Sequence, residues 1–143
     1  DAVIGQFVVD LVQLPVSLLD QRLLASGHLG HLKSMGIEIH ARSVFLQGLL
    51  LMRPEKLPEF FRPVRANLEY LHRDLSQNGI TPLAAGLGFV MSLPEVDVAI
   101  CGVNELHQFE ELVAAARMKA PPEDFRKFAL TDPTILDPRR WQV

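Results

Sequence analysis

"GIEIHARSVFLQGLLL", residues 36–51, changes character halfway along. Ile37 and Ile39 alternate with Glu38 and His40, the period of two expected of a half-buried strand. A charge and a hydroxyl follow at Arg42 and Ser43, then Gln47 and Gly48, and then the wholly apolar Leu49–Leu51. In parallel α/β folds a polar, glycine-containing turn after a strand is where ligands gather, because loops and helix N-termini at the carboxyl ends of strands present free donors. The stretch therefore decides the fold class if strands and helices alternate on both sides of it.

They do. Upstream, "VVDLVQL" (8–14), ended by Pro15, is a short Val- and Leu-rich run expected to be a strand covered on both faces. Residues 17–36 carry Leu18, Leu19, Leu23, Leu29 and Leu32 at roughly helical spacing, with a break expected at Gly27 and a stop at Gly36. Downstream, residues 54–79 place Leu57, Phe60, Phe61, Val64, Leu68, Leu71 and Leu75 on one face of an amphipathic helix, with Pro63 as a break or restart. Thr81 and Pro82 predict the N-cap and first residue of a buried helix whose small residues suit close packing. "VDVAIC" (96–101) is a third strand, and residues 104–120 a helix with Asn104 as its N-cap. The tail from residue 121, with three Pro-containing turns and Trp141, is expected to lie irregularly over the surface. Strands that alternate with helices imply right-handed crossovers and a parallel sheet, and the absence of repeats or linkers predicts one domain over residues 1–143. The opening "DAVIGQFVVDLVQLP" reads as the end of a helix running straight into a strand, with no starting Met, which suggests a piece of a larger protein.

Composition narrows the function classes. The 143 residues are 48% hydrophobic, enough for a real core, and the net charge of -3 argues against a polyanion partner, as do scattered Lys and Arg. Cys101 is the sole cysteine, so an intrachain disulfide and a Cys-based zinc site are both excluded. No apolar run reaches the roughly 18–20 residues of a membrane helix, and a cytoplasmic protein is expected.

Three strand ends could bind: Gln13–Pro15, Arg42–Gly48 and Gly102–Glu105. Glycine followed by an Asn cap offers free N–H groups to an anion, although a plain turn explains the same residues. Reactive groups are fewer. His28 and His31 share a helix without a third ligand nearby and read as surface residues. His40 either faces a site or is a hydrogen-bonded core histidine, the second being favoured. Cys101, in an apolar strand, reads as a buried structural thiol rather than a nucleophile, Glu110 and Glu111 as a solvated helix face, and Tyr70 as packing.

Taken together, these stretches resemble part of the aldo-keto reductases, TIM-barrel enzymes that transfer hydride from a nicotinamide cofactor to aldehydes and ketones. "RSVFLQGLL" (42–50) keeps the Ser-to-Gly spacing of the family's Tyr-Ser-Pro-Leu-Ala-Arg-Gly-Leu-Leu run after its seventh strand. "GVNELHQFEEL" (102–112) is in register with the family's Gly-Ala and Gln-Leu-Glu-Glu-Asn after its eighth, while "LAAGLGFVMSLPEVDVAICG" and "VDLVQLPVSLLDQR" look like the segments leading to that loop and the sixth strand. The resemblance implies a partial (β/α)8 barrel, strands six to eight with their helices and the C-terminal tail. It implies that Gln13 sits near the nicotinamide carboxamide, that Ser43, Phe45 and Gly48 line the pyrophosphate loop, and that Gly102, Asn104, Gln108 and Glu111 surround the adenosine end. Arg42 stands where an aromatic ring usually stacks on the nicotinamide, Gln47 replaces a common Arg, and Leu112 the usual Asn. No Lys or Arg occurs from 103 to 108, and Glu105 would repel a 2'-phosphate, so NAD competes with NADP as the cofactor.

The family's catalytic Asp, Tyr, Lys and His come from early strands with no counterpart in these residues, so no catalytic residue is assigned and hydride transfer is expected only in an intact barrel. Three strands cannot close an eight-stranded barrel, and association through exposed barrel surfaces, or membership of a longer protein, is expected. The alternative is a non-catalytic oligomerising or regulatory module with a reductase-like fold.

Overall fold

The computed structural model describes residues 4–118 and 124–142. The alternating stretch forms strand β2, Glu38–Arg42, which buries Ile39 and Ala41 and turns Glu38, His40 and Arg42 to the other side. β2 is the centre of a three-stranded parallel sheet in the order β1-β2-β3. β1, Leu11–Pro15, pairs Gln13 with His40 and Pro15 with Arg42; β3 is reduced to Val98–Ala99, paired with His40 and Ala41.

β1 was expected to be covered on both faces, and it is not. Helices cover the side carrying Val12, Leu14, Ile39 and Ala41, whereas Leu11, Gln13, Val98 and Ile100 remain exposed on the other. The helix end expected ahead of β1 is a turn over residues 4–6, residues 1–3 lying outside the described residues.

Asp97 fixes where β3 meets β2. Its N–H donates to Ile39 O at 2.9 Å, and its Oδ2 accepts the Ile39 N–H at 2.8 Å, so both backbone polar groups of Ile39 are held by one residue. Its other oxygen accepts from Lys33 Nζ on the helix that precedes β2. These hydrogen bonds, from the Ile39 amide first and from Lys33 second, hold the carboxyl below the usual carboxylate range.

The chain between β1 and β2 forms α1, Arg22–Ala25, and α2, His28–Ser34, broken as expected at Gly27, whose φ of 74° is left-handed. The amphipathic stretch at 54–79 becomes an α-helix only at α3, Arg65–Gln77; before it run 3-10 turns at Pro54–Lys56 and Glu59–Val64. Pro58 and Pro63 lack the N–H that an i-to-i−4 ladder needs, which delays the regular helix. The apolar face is buried as predicted, with Phe61, Leu68, Leu71 and Leu75 each at most 2% exposed. Burying one such side chain contributes about 1.5–3 kcal/mol.

α4, Pro82–Met91, starts as predicted, the Thr81 hydroxyl accepting from Ala84 N–H at 3.1 Å. α5, Leu106–Ala116, starts one residue later than expected: Glu105 is its N-cap, and Asn104 donates its N–H to Gln108 Oε1 at 2.9 Å. The Gln108 side chain reaches back from the first turn to the residue before the cap, and no side chain caps the first-turn N–H groups. α5 was expected to reach residue 120, but it ends at Ala116, and residues 119 and 120 lie outside the described residues.

The tail is not an irregular surface strand. It forms a 3-10 turn at Arg126–Phe128, a short helix α6 at Pro133–Leu136 and a 3-10 turn at Pro138–Arg140. Phe128, Leu130, Ile135 and Leu136 are buried, and the Trp141 ring meets Phe61 edge-on at 4.7 Å. Buried Gln21 donates to Leu18 O and Phe125 O, each at 2.8 Å, and Leu130 N–H donates to Leu19 O at 2.9 Å. The tail is thereby stapled over the turn that leaves β1. No helix among the described residues is long and apolar enough to cross a membrane.

Two substitutions test this packing. A Cβ at Gly86, inside α4, would lie 2.5 Å from Leu50 Cδ2 and 3.2 Å from Phe45 Cδ1, and Leu50 is fully buried. Gly86→Ala is expected to lower stability by about 1–2 kcal/mol despite the better helix propensity of alanine, read as an earlier denaturant midpoint. Because the Asp97 pKa is lowered on folding, its contribution is fully present above the ordinary carboxylate value and is lost as pH falls through the folded one. Asp97→Asn should therefore reduce stability at neutral pH and flatten the acid limb of a stability-pH profile below about pH 4; an unchanged acid limb would show that the clamp contributes nothing.

Candidate functional site

The loop after β2 is held in a shape that most residues avoid. Ser43 (φ 57°), Leu46 (φ 45°), Gln47 (φ 52°) and Gly48 (φ 85°) are all left-handed, at a cost of about 1–2 kcal/mol for each residue with a side chain. Buried Val44, Leu46, Leu49 and Leu50 anchor it from below, and Phe45 rests against Gly86 of α4. Leu46 N–H donates to Ser43 O at 2.8 Å and Gly48 N–H to Phe45 O at 3.0 Å, closing the turn on itself. The N–H groups of Val44, Phe45 and Gln47 meet no acceptor among the described residues.

Parallel pairing sends β2 and β3 out at the same end, so this loop faces the residues that follow β3. Between them lies a cleft of about 670 Å³. Arg42, Ser43, Phe45 and Gly48 form one wall; Gly102, Asn104, Gln108 and Glu111 form the other. Eight of the nine residues singled out from the sequence thus meet in one place, although about 60 positions separate the two groups. The ninth, Gln13, lies outside the cleft. It is exposed on the open face of the sheet, beside His40 in the row before Pro15 and Arg42.

The structure adds residues to which the sequence reading gave no role. His107 and Leu83 line the cleft. The spacing of Asn104, His107, Gln108 and Glu111, at i, i+3, i+4 and i+7, is the signal that would have revealed His107. His107 Nδ1 lies 3.2 Å from a Glu105 carboxylate oxygen. Charge is divided across the cleft. Arg42 is the one Lys or Arg among its described lining residues, and the α5 wall carries Glu111 with Glu105 nearby.

Other candidates resolve differently. His40 is not a core histidine: it is half-buried on the open sheet face, its Nε2 2.7 Å from Glu38 Oε1, because that face has no helix over it. Cys101 is half-buried, and desolvation pushes its thiol up, against the thiolate that a nucleophile needs. Glu110 and Glu111 are both exposed, Glu111 at the cleft rim. Tyr70 is less a packing residue than expected; it is 46% exposed and touches Phe128 by a tilted ring contact at 6.0 Å. His28 and His31 both lie on α2, and no group of three potential metal ligands occurs among the described residues.

No family model matches the sequence, and no curated protein sequence matches it. Solved structures do match its fold. The aldo-keto reductase AKR11C1 from Bacillus halodurans aligns in its apo form over 87% of this chain and 44% of its own, with a TM-score of 0.68 at 19% identity. Its holo form gives 0.69 at 18% identity over 87% and 43%. A thermostable aldo-keto reductase, Tm1743, solved with the inhibitor epalrestat, gives 0.62 at 20% identity over 86% and 40%. The chain spans less than half the length of these structures, and over most of its own length it has the α/β fold, with a three-stranded parallel sheet, of the corresponding part of an aldo-keto reductase.

Proposed function

We propose that this chain is the cofactor-side part of an NAD(P)H-dependent oxidoreductase that reduces aldehydes or ketones to alcohols. In this reading residues 1–143 form one domain, the C-terminal part of an aldo-keto reductase-like barrel comprising strands six to eight, in a cytoplasmic protein. The observation that carries it is the convergence of residues 42–48 and 102–111 on one cleft at the carboxyl ends of adjacent parallel strands.

The residues present fit a nicotinamide dinucleotide. The Ser43 hydroxyl and the unpartnered N–H groups of the strained loop suit phosphate oxygens, which need several donors converging on a small volume. Gln108 and Glu111 offer oxygen acceptors for an adenine amine, and Gln13 can present its amide to the nicotinamide carboxamide from the open sheet face. Bound there, the reduced cofactor would supply the hydride. The chain's own residues hold and orient; the general acid that must protonate the developing alkoxide is assigned to the remainder of the barrel. A non-catalytic assembly module remains the second reading, favoured by the exposed Leu11, Val98 and Ile100 on the uncovered face of the sheet.

NADH is the expected cofactor. The α5 wall that would surround the adenosine carries carboxylates and no Lys or Arg, so a 2'-phosphate would meet repulsion without a partner. Titration of the chain should quench NADH fluorescence with a dissociation constant about ten-fold or more below that for NADPH. Ser43→Ala should weaken NADH about ten-fold by removing one hydrogen bond to a charged group. Absence of quenching by either nucleotide would remove the cofactor-binding reading and leave the assembly module.

A further inference from the structure

Arg42 also belongs to a second cleft. This one, about 410 Å³, lies between the ends of β1 and β2, the start of α1 and the returning tail. Three guanidinium groups line it, those of Arg22, Arg42 and Arg139, against one carboxylate, Asp137. In a chain of net charge -3 this is a local excess of positive charge.

The three arginines are held differently. Buried Asp20 grips Arg22 by both oxygens, at 2.8 Å to Nε and 2.8 Å to Nη2, and the Arg22 Nη2 also donates to Leu136 O at 3.4 Å. Asp137 grips Arg139 in the same way, at 2.8 and 2.9 Å, and lies 3.4 Å from Arg140. The Arg139 fork first, and Arg140 last, hold the Asp137 carboxyl down at about 2, so it stays charged. Arg42 has no carboxylate partner among the described residues. Its one side-chain hydrogen bond among the described residues is a long one, Nη1 to Ser43 Oγ at 3.4 Å. Its fork is therefore free to take a planar oxyanion in two parallel hydrogen bonds, with Arg22 and Arg139 fixed beside it as further positive charge.

We infer that the cleft between β1, β2 and the tail binds a small organic oxyanion, with Arg42 as the residue that engages it. Resting on the cofactor reading, this makes the carbonyl substrate an acidic one: Arg42 lies on the boundary between the two clefts, so it can hold the substrate's carboxylate or phosphate while the carbonyl faces the cofactor cleft. Asp137 acts against the ligand and limits its affinity.

The test uses the 143-residue chain and isothermal titration with glutarate, with glutaramide as its uncharged counterpart, and with inorganic phosphate. Glutarate or phosphate should bind saturably and glutaramide should not; whichever anion binds more tightly names the preferred head group. Arg42→Gln should weaken that binding at least ten-fold, and Arg42→Lys less. Arg73→Gln, on α3 away from the cleft, should leave it unchanged. Asp137→Asn, which keeps an oxygen for the turn it caps, should tighten it. Absence of saturable binding by either anion, equal binding of glutaramide, or an unaltered affinity in Arg42→Gln would overturn the inference. So would an Arg42-dependent affinity that Asp137→Asn leaves unmoved, since the anion would then sit in the cofactor cleft. NADH titration of the same samples separates the two readings: NADH quenching without anion binding sinks this inference alone, whereas anion binding without NADH quenching overturns its assignment to a carbonyl substrate.

Discussion

β2 runs between two parallel neighbours, and this alignment decides where chemistry can happen. Parallel strands deliver all their carboxyl ends to one edge of the sheet, so the segments after Pro15, Arg42 and Ala99 must emerge side by side. The register is not left to a two-residue ladder. Ile39 is held through both its N–H and its carbonyl by Asp97, and Asp97 is itself tied to Lys33 on α2. A slip of one residue would put Glu38 and His40 among the core leucines and turn Ile39 to the open face. The cleft follows from this alignment together with α4, against which Phe45 of one wall and Leu112 of the other both pack.

The shape of that edge depends in turn on a missing side chain. α4 approaches the loop closely enough at Gly86 to fix Leu50 and Phe45, and these residues follow or belong to the left-handed turn at 43–48. Strain in the loop is held by burial below it: Val44, Leu46, Leu49 and Leu50 are each at most 2% exposed. A flexible loop could offer the same N–H groups, but it would lose ordering entropy on binding, which a strained and buried one has already lost. Backbone strain, close helix packing and free donors are here three aspects of one arrangement.

Much of this was legible in the sequence, and the failures have physical causes. Local chemistry was read correctly where it is self-contained: the Thr81 cap, the breaks at Gly27 and Pro63, and the alternation at 37–41 each depend on residues within a few positions. The α5 start was misplaced because Asn104 is a good cap by residue type, but its backbone N–H is taken by Gln108 Oε1 and the helix begins after Glu105, with no side-chain cap. The covering of β1 was misjudged because a Val- and Leu-rich strand looks the same whether its second face is covered or open, and exposed sheet surface was expected only from the barrel resemblance. The tail was misread because its order comes from distant partners, Gln21, Leu19 and Phe61, which proline spacing cannot reveal. For the site, strand-end position and the family resemblance pointed to the two segments that line the cleft, whereas only the fold could separate Gln13 from the other eight residues.

Charge gives the edge a direction. From the tail toward α5, the described residues pass from paired arginines, through Arg42, to the neutral donors of the loop, and end at Glu111 and Glu105. Interactions between exposed charges fade beyond about 10 Å at moderate ionic strength, so each end acts on what lies against it and not on the whole ligand. Asp20 and Asp137 reduce the field at the basic end without abolishing it, because each is committed to an arginine that it also orients. Arg42 is the exception, a cation at the end of the central strand with only a long hydroxyl contact. Its position between two clefts, rather than its charge alone, makes it the residue through which a ligand in one could be aligned with a ligand in the other.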